Sequence, residues 1–131
     1  MFNLSQSVRI FVSTKPVDMR LGFNGLSGLV QTVLQQDLLS GHLFLFRSKR
    51  GNFIKILWWD VDGLALFAKR LEVGNFQFPD VRFVDGKYEP VEIERADLMM
   101  LLEGIDSDSV KRLKRYRRGD NATMARRQSA G

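Results

Sequence analysis

Between Gly41 and Arg70 the chain reads GHLFLFRSKRGNFIKILWWDVDGLALFAKR, and no other stretch restricts the fold as much. Aromatic and β-branched residues gather in short runs separated by two turn signals. His42 to Ser48 is followed by Lys49 to Asn52, a loop whose Gly51 is free to take a positive φ, and then by Phe53 to Trp59. Asp60-Val61-Asp62-Gly63 turns the chain again, into Leu64 to Leu71. That last run is short enough for a helix, but the glycine turns on either side favour a strand. The block therefore predicts a β-meander. In its middle strand Ile54, Ile56 and Trp58 share one face, which we assign to the core. Phe53, Lys55, Leu57 and Trp59 share the other. Rings with a cation among them suit an exposed nucleic-acid platform, because bases stack on rings and phosphates attract Lys and Arg. The same face also suits an ordinary meander covered by a second layer or a partner subunit.

Around the meander the periodicities are simpler. Val8 to Ser13 alternates and predicts a first strand, ended by Pro16. Asp18 is a candidate N-cap for a helix whose apolar face is Met19, Phe23, Leu26, Val30 and Val33. Gly22, Gly25 and Gly28 lie near one another on that helix and permit close backbone approach. They offer either a docking face for a partner or tight packing on the helix's own sheet, and the second is preferred. Gln35 to Gly41 is a polar loop. After turns at Glu72 to Asn75, Phe76 to Phe78 is a further short extended run. Arg82 to Val84 and Tyr88 to Ile93, joined at Asp85-Gly86-Lys87, predict a hairpin with a proline at position 90. Glu94 to Glu103 predicts a short helix with Leu98, Leu101 and Leu102 inward, stopped by Gly104. The expected fold is α+β: a mainly antiparallel sheet of about five strands, an amino-terminal helix on one face and a short carboxy-terminal helix.

A chain of 131 residues suits one domain, taken here as residues 1–106, with residues 107–131 as a basic, partly disordered tail. The charge is what sets the tail apart. Residues 1–106 hold 12 Lys/Arg against 13 Asp/Glu, net −1, whereas residues 107–131 hold 8 against 2, net +6. Basic arms of this kind often contact nucleic acid, and they also serve as plain solvated tails. There is no cysteine, hence no disulfide, thiolate metal site or cysteine nucleophile. No apolar run approaches the roughly 20 residues that span a bilayer, and no secretory signal opens the chain, so a cytoplasmic protein without a membrane partner is expected.

Little in the chain nominates catalysis. Asp60 and Asp62 are spaced like acids that share a divalent metal in nucleases, but Asp is favoured in turns for its own backbone hydrogen bonding. His42, the only histidine, is read as a half-exposed strand residue. No catalytic residue, metal site or cofactor is assigned. The cations stand out instead: Arg47, Lys49, Arg50 and Lys55 on one hairpin, with Lys69 and Arg70 on the next strand. Such a hairpin could follow a phosphate backbone or enter a groove, or be a solvated tip.

Several segments together resemble one family. They are Pro16-Val17-Asp18-Met19-Arg20 with Gly22-Phe23 and Gly25-Leu26; Ser40-Gly41-His42-Leu43-Phe44; and Ile54-Lys55-Ile56-Leu57-Trp58-Trp59-Asp60. Gly63-Leu64 through Phe67, Lys69-Arg70-Leu71-Glu72 and Leu101-Leu102-Glu103-Gly104-Ile105-Asp106 complete the set. From about Val8 to Asp106 the chain resembles the TnpB accessory (second-reading-frame) proteins of the IS-sixty-six insertion-sequence family. Leu21, Asn24 and Ser107 depart from the basic, acidic and aromatic residues of that pattern. The resemblance implies a bacterial accessory factor for transposition, with strand transfer carried out by a separate transposase. It implies no catalytic residues here. The expected partners are DNA, the transposase, or both. The expected phosphate contacts are Arg47, Lys49, Arg50, Lys55, Lys69 and Arg70, with Lys111, Arg112, Lys114 and Arg115 of the tail. Gly22, Gly25 and Trp59 are the expected protein contacts. The alternatives are a pure protein-interaction module and, further off, a small metal-dependent nuclease using Asp60 and Asp62.

Overall fold

The computed structural model describes residues 7–103. Its first strand, β1 (Ile10–Val12), runs parallel to β2 (Leu43–Arg47), pairing Ile10 with Leu43 and Val12 with Leu45. Parallel neighbours need a crossover connection, and here it carries helix α1 (Phe23–Thr32) and a 3-10 turn (Leu38–Ser40). From β2 the meander follows as expected. β3 (Phe53–Asp60) and β4 (Gly63–Arg70) are antiparallel, in unbroken register from Phe53↔Arg70 to Asp60↔Gly63.

The predicted hairpin at Arg82–Ile93 divides at its proline. β5 (Arg82–Val84) and β6 (Lys87–Glu89) form a separate two-stranded ribbon. Pro90 has no N–H to continue that ladder, and beyond it β7 (Val91–Ile93) joins the main sheet antiparallel to β1. The five-stranded sheet therefore has the order β4-β3-β2-β1-β7. It is mainly antiparallel, with the single parallel pair that the crossover creates. The fold is α+β, with one helix near each end of the described chain.

Both faces of the sheet are covered. Leu26 and Val30 of α1, with Leu34 just beyond it, pack on Phe11, Phe44, Phe46 and Leu57. On the opposite face Leu98 and Leu101 of α2 (Arg95–Leu102) join Ile10, Val12, Leu43, Leu45, Ile54, Ile56 and Phe76. Each large apolar side chain so buried contributes about 1.5–3 kcal/mol. Glu94 and Asp97 close a reciprocal capping box at the start of α2.

Three local expectations need correction. Asp18 is not the N-cap of α1: its carboxylate accepts from the Arg20 N–H at 2.9 Å and is gripped by the Arg20 guanidinium. These bonds hold its pKa at about 2 and make a tight turn, and α1 begins four residues after Arg20's neighbour Met19, at Phe23 with Gly22 as cap. The inward stripe is then Leu26, Val30 and Leu34, leaving Phe23 and Val33 exposed. Phe76 to Phe78 is no strand. Phe76 drops into the core, and its N–H donates to the Gly51 carbonyl at 2.8 Å.

Candidate nucleic-acid interface

The face of Phe53, Lys55, Leu57 and Trp59 is not an open platform. Leu57 is fully buried beneath α1, and Lys55 Nζ donates to the Leu21 carbonyl at 2.8 Å. The lysine thus ties β3 to the chain entering α1. Ile54 and Ile56 are core as expected, and Trp58 packs at the rim of the same cluster. Trp59 is partly exposed, opposite Leu64.

The six cations of the meander separate into two groups. Lys55 is one of three that are anchored. Lys69 Nζ donates to the Leu102 carbonyl at 2.9 Å, satisfying the last turn of α2, where a positive charge suits the helix end. The Arg47 guanidinium lies over the Phe78 ring at 4.8 Å, and its Nε donates to the Ser48 carbonyl at 3.3 Å. Lys49, Arg50 and Arg70 are exposed instead.

Lys49 and Arg50 sit on a well-supported tip. Ser48 N–H donates to the Phe53 carbonyl at 3.0 Å, and Gly51 N–H to the Ser48 carbonyl at 3.1 Å. Ser48 Oγ accepts from Phe53 N–H at 3.1 Å. Gly51, at φ 78°, takes a conformation that side chains other than glycine's rarely adopt. The following loop adds a buttress: Leu71 N–H donates to the Asn52 carbonyl at 2.8 Å, and the Asn75 amide, once oriented by its neighbours, reaches the Arg50 carbonyl at 3.1 Å. Arg70, paired with Phe53, ends its strand at the same edge of the molecule. Sequence spacing found these three residues but not the Ser48, Asn52 and Asn75 side chains that brace them, because short polar residues in a turn look alike.

At the other end of the meander stand the acids. Asp60 pairs with Gly63, and Asp62 N–H donates to the Asp60 carbonyl, so Val61 and Asp62 form a two-residue turn. Val61 is held at φ 59° and is 89% exposed, which is strained for a β-branched residue. Among the described residues no three His, Cys, Asp or Glu side chains gather closely enough to hold a metal. His42 is partly buried just before β2. Its Nδ1 accepts the Arg9 N–H at 2.9 Å, and burial, helped by the Arg9 charge, pushes its pKa below 6.5.

Close packing of the three α1 glycines on the sheet, the preferred expectation, is not observed. A side chain at Gly22 or Gly28 would meet nothing within 4 Å, while one at Gly25 would strike the Leu21 side chain. Lys111, Arg112, Lys114 and Arg115 lie outside the described residues. Among the described residues no helix is long and apolar enough to cross a membrane.

The class defined by this geometry is a small α+β domain whose free meander cations gather at one end of a five-stranded sheet. Its family follows from comparison: the chain belongs to the family described as IS66 Orf2 like protein, whose model matches residues 8–112. Two curated relatives come from Sinorhizobium fredii, both called uncharacterized. Protein y4jC is 39% identical over 112 residues, covering 86% of this chain and 92% of the relative. Protein y4hO is 41% identical over 101 residues, covering 77% and 84%. No solved structure matches the chain. The family is one of transposition-associated accessory proteins, as the Ile-Leu-Trp-Trp-Asp string and its companion segments led us to expect.

Proposed function

We propose that the protein is a non-enzymatic accessory factor of transposition that grips duplex DNA by its phosphates. Lys49 and Arg50 make the leading contacts, Arg70 flanks them, and the tail cations Lys111, Arg112, Lys114 and Arg115 add sequence-independent attraction. The carrying observation is the braced tip: two exposed cations on a hydrogen-bonded loop, needing little reorganisation to meet a phosphate backbone. Arg47, Lys55 and Lys69 are left out of the contact set because their heads are engaged within the protein.

Binding by phosphate contact releases counterions, so the logarithm of affinity falls with log salt by about 0.9 per contact. Anisotropy titrations over a salt series, on transposon-end and random duplexes, measure that slope. A Lys49→Gln/Arg50→Gln double variant lowers it by about 1.8. Absence of binding at low salt refutes the proposal. A second contact, with the element's transposase, is favoured by the opposite end of the sheet, where Leu39 and Val61 are 62% and 89% exposed. Co-purification with the transposase that survives Lys49→Glu/Arg50→Glu, with DNA digested away, separates that contact from DNA bridging.

A further inference from the structure

The two edges of the sheet are finished differently. β7 is three residues long, follows Pro90, and carries Glu92, which is clasped by Arg9 at 2.7 Å. Short length, a proline and charge are common devices that stop an edge strand from recruiting another. β4 is neither short nor interrupted by a proline. It is eight residues long, keeps an unbroken register with β3, and runs Leu64-Ala65-Leu66-Phe67-Ala68 without a charge, its cations Lys69 and Arg70 confined to the last two positions. Among the described residues no strand pairs with its outer side, so alternate N–H and C=O groups along it face outward.

Charge selects the occupant. Asp62, in the turn, immediately precedes β4, and Lys69 and Arg70 close it. A strand with that polarity is complementary to itself when reversed. We propose that two copies of this chain pair their β4 strands antiparallel about a two-fold axis at Leu66, joining two five-stranded sheets into one.

The axis stands perpendicular to the sheet, so each face continues across the junction and residues must pair with residues of the same face. That restricts the register to one centred on a residue. Centring on Leu66 sets Leu66 against Leu66, Ala65 against Phe67, Leu64 against Ala68, and Asp62 against Arg70 of the second copy. Leu64 to Ala68 meet apolar residues throughout, Gly63 faces Lys69, and between positions 62 and 70 no like charges meet. The two Asp62–Arg70 pairs are exposed and serve to fix the register, while the main-chain ladder supplies the attachment.

Sedimentation velocity of the full chain without DNA, over a concentration series, tests the proposal. The expected species is a dimer whose population rises with concentration. Asp62→Arg or Arg70→Glu alone puts like charges together twice per dimer and weakens association roughly tenfold. The double variant Asp62→Arg/Arg70→Glu restores the pairing and recovers the dimer. A chain that stays monomeric at the highest attainable concentration overturns the proposal. So does a dimer indifferent to both single changes, which would place the contact elsewhere, and so does a dimer weakened by each single change but not recovered in the double. A monomer that dimerises only after removal of residues 104–131 also overturns it, showing that another segment of the same chain takes the edge.

Discussion

Replacing Lys69 by methionine separates its structural use from any role in binding. Lys69 Nζ reaches the Leu102 carbonyl, in the last residue of an eight-residue helix. Isolated helices shorter than about 12–15 residues are marginal in water, so α2 depends on Leu98, Leu101 and its two ends. A hydrogen bond from a charged donor contributes about 1.5–3 kcal/mol, and a cation at a helix C-terminus about 0.3–1 kcal/mol. The Lys69 side chain is only partly buried, so water screens and partly replaces both, leaving an expected loss of about 1–2 kcal/mol. Methionine keeps most of the apolar stem, so little packing is lost with the charge. For a chain of this size the melting temperature should fall by roughly 3–8 °C. Urea and thermal unfolding followed by circular dichroism measure the change, with Arg70→Gln, exposed on the same strand, expected within about 0.5 kcal/mol of the parent. A Lys69→Met protein as stable as the parent but weaker on DNA would refute the anchoring role and return Lys69 to the contact set.

Val61→Gly should stabilise the fold by about 0.5–1 kcal/mol, because the strain of a β-branched residue at φ 59° exceeds the entropy glycine adds to the unfolded chain; a loss in urea titration would show that Val61 makes contacts that matter. His42 is held below its ordinary 6.5 in the fold, so protonation favours the unfolded chain. Its contribution is complete above pH 6.5 and is lost as pH falls through the lowered folded value, when Nδ1 can no longer accept from Arg9. His42→Ala should be less stable at pH 8 and converge on the parent toward pH 5, as read by denaturation midpoints. Among the described residues Thr14 Oγ1 is buried without a hydrogen-bond partner, so Thr14→Val should leave stability unchanged or raise it by up to about 1 kcal/mol, and a clear drop would reveal a partner for the hydroxyl.

The meander was legible because each strand is bounded by a turn whose chemistry is local: Gly51 at φ 78° in one, Asp60 to Gly63 in the other. Alternation in β3 identified Ile54 and Ile56 as core for the same reason. The partner of β1 was not legible, since nothing in Ile-Phe-Val states a direction. The long helix-bearing crossover between Val12 and Leu43 was the available clue to a parallel neighbour. Pro90 marks a break in the hairpin, but its consequence depends on where the vacant edge of β1 lies, which is a tertiary fact. The cations show the limit most plainly. Lys49, Lys55 and Lys69 have the same side chain on neighbouring strands, and only the positions of Leu21 and Leu102 distinguish a solvated ammonium from an anchored one.

If β4 pairs with itself while Lys49 and Arg50 meet DNA, the two proposals constrain each other. In the register centred on Leu66 the two Arg70 residues lie eight residues apart along the joined strands, about 27 Å at 3.4 Å per residue. The Lys49–Arg50 tips lie beyond them, so their separation approaches or exceeds the roughly 34–36 Å of one DNA turn. A two-fold axis perpendicular to the sheet also places the tips at opposite ends of the joined strands while keeping both on the same face. One duplex longer than a turn can then engage both, whereas a shorter one reaches a single tip. The salt slope should therefore be about twice as steep on a two-turn duplex as on one shorter than a turn. For the Arg70→Glu variant, at a concentration where its weakened dimer has dissociated, the slope should depend little on length. Equal slopes for the parent on both duplexes would mean that only one tip binds, and that pairing through β4 does not serve DNA.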